Sequence, residues 1–470
     1  MLPRSEISES SYREVQEVIE ENEGRESSDE PVEMDEQPRL PCPAAGTERL
    51  LSIDTLRGVA VLGILGMNIY AYSLPYMAYG NPTVMGGFTG LDRLAWWITN
   101  MFFSFKMMPV FAMLFGAGLV LMNERFTPKG ISYGRFWYRR VLWLMLIGAI
   151  HGYLLWNGDI LFLYSVCGMF LYLFRKKTVK RLFIAASIFF VIGFLPNLAG
   201  GYYFGMIRDD ILPEIERKTE AGEELTAAEN AQQNTWNETI MHFNPSQDDI
   251  ERDLKAMRGG YTDALKYRAP LYLAMTTYLL FFGSFWPAMG LMLFGMAFMK
   301  LGVFSASRSN RFYVMLTAIG YGAGLPLAYI SARSAIAHDF FFVESMSIQG
   351  PLNMLAGPLV AAGHVGLVML ACRCGILTGL RKSLSAAGRM ALSNYIGQTM
   401  ICTTIFYGYG LGLYGSVNRA TLMLFVIGVW IIELIVSPLW LSRFRFGPLE
   451  WLWRTLSYGS RQPMRKQLSE

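Results

Sequence analysis

Of 470 residues, 53% are hydrophobic and only 17% charged, and the mean hydropathy is +0.29, a balance that excludes an ordinary soluble domain. The net charge of +4 hides an asymmetry, because residues 1–46 hold thirteen acidic side chains against four arginines and stand at −9, leaving +13 on the remainder. The environment this implies is a lipid bilayer, with no nucleic-acid partner.

The leader, with "ESSDEPVEMDEQP", is too poor in apolar residues to build a core and has no basic stretch of the kind that opens a signal peptide. Residues 1–46 are therefore expected to be a disordered acidic tail, 47–445 a transmembrane bundle and 446–470 an amphipathic tail. The expected fold is all-α, a polytopic helix bundle of about ten spans at 52–74, 107–123, 137–156, 159–174, 181–200, 268–300, 311–331, 351–371, 389–411 and 419–441.

The first span, "RLLSIDTLRGVAVLGILGMNIYAYS", carries Asp54 and Arg57 at i and i+3 on its opening turns and Asn68 further in. One reading is an interfacial ion pair with a snorkelling arginine; the other is a guanidinium, oriented by Asp54, that meets an anionic ligand such as a phosphate. The next segment, 92–106, has only fifteen residues and carries Asp92, Arg93 and Lys106, which suits a re-entrant or interfacial helix better than a crossing. "LFGAG" (114–118) supplies small residues for close helix approach.

His151 lies eleven residues past Arg140, roughly 16 Å into the membrane at 1.5 Å per residue. Such an imidazole can pack quietly on a neighbouring backbone. The surrounding "AIHGYLLWNGDILFLY", however, brings Asp159 after a tight Asn157-Gly158 turn, so a base with its orienting carboxylate is the alternative. Residues 201–267 form one long charged segment, expected outside as a cap or spacer with one or two helices. The 268–300 run is too long for a bilayer and is expected to tilt, protrude or kink at Pro287.

Of the other histidines, His242 and His338 fall outside the spans and His364 lies between glycines. Five cysteines imply no disulfide framework, and the Cys372-Arg373-Cys374 spacing lacks the second pair a zinc site needs, so no metal is expected. Near 389–411, Asn394, Tyr395 and Gln398 add polar side chains to one helix; amides there ordinarily hold helices together. Basic loops at 124–140, 175–181, 300–311 and 373–389 alternate with turns nearly free of positive charge, which places both termini in the cytoplasm of a multi-pass cell-membrane protein.

These elements in this order resemble the YeiB-like family of bacterial multi-pass membrane proteins: the first-span motif, "MLFGAG", the "IGAIHGYLLWNGDILFLYSVCG" hairpin, "GRMALSNYIGQT" and the closing "GPLEWLWRTLSYG". More distantly, Arg49, Ser52, Asp54, Arg57, Gly58, Asn68 and Asp92 are similar to the first-helix pattern of heparan-α-glucosaminide N-acetyltransferases. That second resemblance implies a cytoplasmic acyl-CoA donor, bound at Asp54 and Arg57, whose acyl group passes to an acceptor reached from the opposite face. Those enzymes carry a catalytic histidine after the first helix, whereas "LPYMAYGNPTVMGGFTG" has none here; either His151 substitutes, with Asp159 and Asn68 beside it, or the chemistry differs. Asp92, Asn394, Tyr395 and Gln398 complete the expected polar cavity. Two further functions stay open: a transporter or flippase of a small metabolite or lipid, and a noncatalytic membrane sensor or scaffold. No tightly bound cofactor is expected, and the oligomeric state is open.

Overall fold

The computed structural model describes residues 51–126, 133–243, 245–281 and 283–466. The acidic leader expected at 1–46 lies outside the described residues. Among those described, the regular structure is helical and the only extended pairing is one antiparallel bridge, Phe444 to Arg465, in agreement with an all-α bundle.

Among the described residues, six helical segments are long and apolar enough to cross a membrane: Leu51–Ser73, Gly90–Phe126, Val179–Glu220, Asn310–Ala337, Phe342–Arg373 and Arg419–Arg443. A seventh arises if Tyr261–Phe281 and Phe285–Lys300, bent by 59°, make one span. This falls short of the ten apolar runs because three of them hold α-helices that are shorter or more charged than a full crossing. Run 137–156 holds most of α4 (Tyr133–Ile150), 159–174 holds α5 (Leu161–Leu171), and 389–411 holds α15 (Ala391–Phe406), which Met390 parts from α14 (Thr378–Arg389) before it. Short helical turns apart, the remaining elements are α1 (Leu51–Ser73), α2 (Gly90–Phe102), α3 (Met107–Phe126), α6 (Val179–Met206), α7 (Leu212–Glu220), α8 (Ala227–Phe243), α9 (Gln247–Arg258), α10 (Tyr261–Phe281), α11 (Phe285–Lys300), α12 (Asn310–Ala337), α13 (Gly350–Arg373), α16 (Arg419–Arg443) and α17 (Pro448–Tyr458).

The segment near 92–106 is α2 followed by a turn at 103–106, where Phe105 takes a positive φ of 59° and Lys106 turns inward to donate to Asn100 O at 2.7 Å. The bend in 268–300 falls between Phe281 and Phe285 rather than at Pro287, which occupies the first turn of α11, where a missing N–H costs no helical bond. Helix α6 runs past 200 to Met206, so the long polar segment starts later than expected and contains α7, α8 and α9.

α1 is the central strut, buried along most of its length. It can be surrounded because its small residues let backbones touch. A Cβ at Gly58 would lie 1.9 Å from Leu384 O, and one at Gly388 would lie 1.9 Å from Asp54 O, so α1 and α14 cross on a reciprocal glycine pair. Gly116 of "LFGAG" and Gly295 do the same for α3 and α11, each 1.9 Å from a carbonyl of the partner helix. The outer helices show the opposite pattern. α6 exposes Ile184, Ile188, Val191 and Leu195, and α16 exposes Leu424, Ile427, Ile431 and Ile435, apolar stripes at helical spacing that suit lipid.

Candidate functional site: an arginine-rimmed cavity ending at a histidine relay

α4 does not continue as an α-helix to its outer end. At His151–Leu155 the backbone widens into a π turn, a feature that often marks functional positions, and Trp156 N closes it on His151 O at 2.9 Å. The loosened carbonyls are taken by α10: Arg268, only 2% exposed, donates to Leu155 O at 2.5 Å and Leu154 O at 3.4 Å, and Tyr261 donates to Leu154 O at 3.0 Å. Glycines make this contact possible, since a Cβ at Gly152 would stand 2.2 Å from the Tyr272 ring.

The Asn157-Gly158 turn then returns the chain, and Asp159 opens α5 by accepting the Phe162 N–H on Oδ2 at 2.8 Å. Its other oxygen, Oδ1, lies 2.8 Å from His151 Nδ1, with both side chains 1% exposed or less. An ionised carboxylate only accepts, so Nδ1 carries the hydrogen and Nε2 is left as an acceptor. Its donor comes from α15: Thr399 Oγ1 stands 2.9 Å from Nε2. With that hydrogen committed, Thr399 Oγ1 accepts from Tyr72 of α1 at 2.6 Å. Tyr72, Thr399, His151 and Asp159 thus form one chain with every donor pointing the same way.

Below the relay lies a cavity of about 360 Å³ between α1, α3, α4, α5, the start of α15 and α17. That is within the range of small-molecule sites. Its walls are apolar over most of their area, with Phe111, Leu114, Leu144 and Leu161 among them, and Tyr395 belongs to the lining. The Tyr395 ring centre is 5.1 Å from that of His151, so one aromatic ring stands between the cavity and the relay.

Six arginines line the cavity: Arg57, Arg125, Arg140, Arg389, Arg445 and Arg454. The two acidic side chains in the same lining are both engaged. Asp54 holds Arg57 at 2.9 Å, and Glu450 accepts from Leu392 N at 2.6 Å, Ser393 N at 3.1 Å and Ser393 Oγ at 2.5 Å, capping α15 and tying α17 to it. Burial raises the Glu450 carboxyl above its ordinary value, against those hydrogen bonds. The guanidinium of Arg140 stacks 3.5 Å over Trp453 and that of Arg454 lies 4.5 Å over Phe446, while Arg389 Nε makes no hydrogen bond. The result is a strongly positive rim over an apolar shaft.

The residues singled out in the sequence divide by place. Asp54, Arg57 and Tyr395 line the cavity; His151 and Asp159 meet beyond its Tyr395 wall. Asn68 is buried one helical turn before Tyr72 and takes no part in the His151 hydrogen bonds. Asp92 is remote from the cavity, for its Oδ1 accepts from Ala420 N at 2.8 Å and caps α16. Asn394 and Gln398 act as helix glue: Asn394 donates to Ala387 O and Ser437 Oγ, each at 3.1 Å, and Gln398 donates to Val61 O at 3.0 Å and to Glu433 at 3.1 Å. An amide with both hydrogens spent offers no oxyanion contact. Sequence reasoning missed Thr399, Tyr72, Arg268 and Glu433. Thr399 had a signal, since it lies four residues after Tyr395 on the same helical face.

A family model described as "Protein of unknown function (DUF418)" matches residues 298–460. Along the whole chain, "Uncharacterized protein YeiB" of Escherichia coli is 32% identical over 430 residues, covering 88% of this chain and 98% of that protein. "Uncharacterized protein YxaH" of Bacillus subtilis is 30% identical over 432 residues, covering 90% of this chain and 98% of that protein. No solved structure matches the chain. With 32% identity to a relative over 88% of its length and the family model across its C-terminal helices, the chain belongs to the YeiB-like family.

Proposed function

We propose that this protein is a membrane-embedded acyltransferase, taking an acyl group from an acyl-CoA that enters at the arginine rim and passing it to a carbohydrate or lipid hydroxyl on the opposite face. The observation that carries the reading is a rim of six arginines over an apolar shaft whose wall, Tyr395, packs on the His151 ring. Guanidiniums match phosphate oxygens in pairs, and two are already splayed on aromatic rings with edges left to donate. Asp159 holds His151 in the tautomer that leaves Nε2 as a base, which attack of a hydroxyl on a thioester requires. A swing of the Tyr395 ring joins the shaft to the relay. In this reading the rim and both termini face the cytoplasm of the inner membrane, the side on which CoA is available, in keeping with the basic loops.

The test is release of free thiol from acetyl-CoA and palmitoyl-CoA by the detergent-purified chain, with a panel of hydroxyl acceptors. His151→Ala should lower turnover by about 10²–10⁴-fold while leaving CoA binding and melting temperature near wild type. Arg57→Lys should weaken CoA binding, since it keeps the charge but removes the fork. Full turnover in His151→Ala ends the base assignment, and equal CoA affinity in Arg57→Lys ends the donor assignment.

A second reading, proton-coupled transport of a small metabolite or lipid, is favoured by one observation: the relay is sealed, with His151 1% exposed and Thr399 fully buried. Uptake into vesicles that follows an imposed pH gradient and is lost in His151→Ala, without thiol release, would select it.

A further inference from the structure

The hydroxyl on His151 Nε2 belongs to the protein itself, and it occupies the place an attacking group needs. Thr399 Oγ1 is 2.9 Å from Nε2, whose ring is held through Nδ1 by Asp159 at 2.8 Å. Nucleophile to base and base to orienting carboxylate, both within hydrogen-bond reach, is the geometry by which an activated hydroxyl is recognised irrespective of fold. Tyr72 Oη stands 2.6 Å from the same oxygen, and of the two acceptors open to the threonine hydrogen the imidazole at 2.9 Å is nearer than Tyr395 O at 3.4 Å.

Position supports a role for it beyond filling the histidine's valence. Tyr395 and Thr399 are about one turn apart on the same face of α15, about 6 Å along the axis. An acyl tip that passes the Tyr395 ring from the shaft therefore meets Thr399 next. On its other side Thr399 faces Tyr72, whose ring packs 4.1 Å from Trp156 beyond the π turn. The packing is also tight: Thr399 is 0% and His151 1% exposed, so a substrate reaches them only past the Tyr395 ring. A hydroxyl already seated on the base at the end of so narrow a passage suits two half-reactions with a covalent intermediate.

We propose that Thr399 is the nucleophile and carries the acyl group as an ester between the two faces; this rests on the acyltransferase reading. In the first half-reaction Thr399 Oγ1 bonds to the thioester carbonyl carbon as its hydrogen moves to His151 Nε2. The C–S bond then breaks and the departing sulfur takes that hydrogen, leaving CoA thiol and O-acyl-Thr399. In the second, an acceptor hydroxyl loses its hydrogen to Nε2 and bonds to the same carbon. The C–Oγ1 bond breaks and Thr399 regains the hydrogen from the imidazolium. No electrons are gained or lost.

The experiment incubates the full chain in detergent with palmitoyl-CoA or acetyl-CoA and no acceptor, quenches in acid, and follows CoA release and intact mass. The expected result is a burst of about one CoA per chain, a mass increase of one acyl group, and fragmentation that maps it to the peptide bearing Thr399. Thr399→Ser should keep the adduct and Thr399→Val should lose it. Mapping in the unaltered chain makes the outcome independent of whether Thr399→Val folds. Steady CoA release by the wild type with no adduct, or an adduct on another residue, overturns the threonine and leaves acyl transfer standing. No CoA release from either thioester, with or without acceptors, removes acyl transfer and this intermediate with it.

Discussion

Replacing Gly58 by Ala adds a single methyl group at the crossing of α1 and α14, yet the geometry makes it costly. The new Cβ would lie 1.9 Å from Leu384 O, where ordinary contact begins at 3.4 Å, so the two backbones must part by about 1.5 Å. The obstacle is a carbonyl within a helix, which cannot turn aside as a side chain would. A gap of 0.5–1 Å already forfeits a quarter to a half of each contact, and overpacking of this kind costs about 1–3 kcal/mol; the rigid neighbour places this case at the upper end, ~3 kcal/mol. In thermal unfolding of the purified chain that is a loss of roughly 3 °C. Gly388→Ala presses the same crossing from the other side, 1.9 Å from Asp54 O, so the double variant should cost clearly less than the sum of the two. The same separation moves Asp54 and Arg57 away from Arg389, and CoA binding should weaken with it. An unchanged melting temperature in Gly58→Ala, or strictly additive losses, would refute the close crossing.

Asp159→Asn should leave the fold nearly intact, because the amide oxygen can still accept from Phe162 N, but its NH₂ then faces His151 Nδ1 and drives the hydrogen to Nε2. Thiol release should fall by about 10⁴-fold with little change in melting temperature; retained turnover would show that the tautomer is irrelevant. Outside the spans, burial raises the Asp253 carboxyl of α9 above its ordinary value, against hydrogen bonds from Tyr414, Tyr76 N and Tyr267. A raised acid favours the folded state most below its unfolded pKa of about 3.9 and loses that contribution as pH climbs through the folded value. The melting-temperature advantage of wild type over Asp253→Asn should therefore shrink from pH 4 upward (about the unfolded value), and an advantage that grows with pH contradicts the assignment. Glu450→Ala removes three hydrogen bonds between α17 and the start of α15, so limited proteolysis should cut near 447–458 faster than in the wild type, and equal rates would mean that other contacts hold the helix.

How much of this was legible in the sequence depends on the range of the interaction concerned. Helical class, the Asp54–Arg57 pair at i and i+3, and the proximity of His151 to Asp159 all follow from chain-local geometry: a 3.6-residue period, or a tight turn between two elements. The π turn at His151–Leu155 was beyond that reading, because its stability depends on Arg268, more than a hundred residues away, finding the loosened carbonyls. The break of 268–300 at Phe281 rather than at Pro287 is of the same kind, since a proline in the first turn of a helix carries no obligation to bend it.

The sequence by itself determined that the chain is a helical membrane protein and which few polar side chains it would have to bury. Only the tertiary structure decided which of them meet. Asp92 went to cap α16, 328 residues away, and Asn394 and Gln398 were consumed between helices, while Thr399, 248 residues from His151, completed the relay. In a bilayer every buried donor and acceptor must find a partner inside the protein, and the choice among equally polar candidates is made by helix packing, which here turns on where glycines let backbones touch.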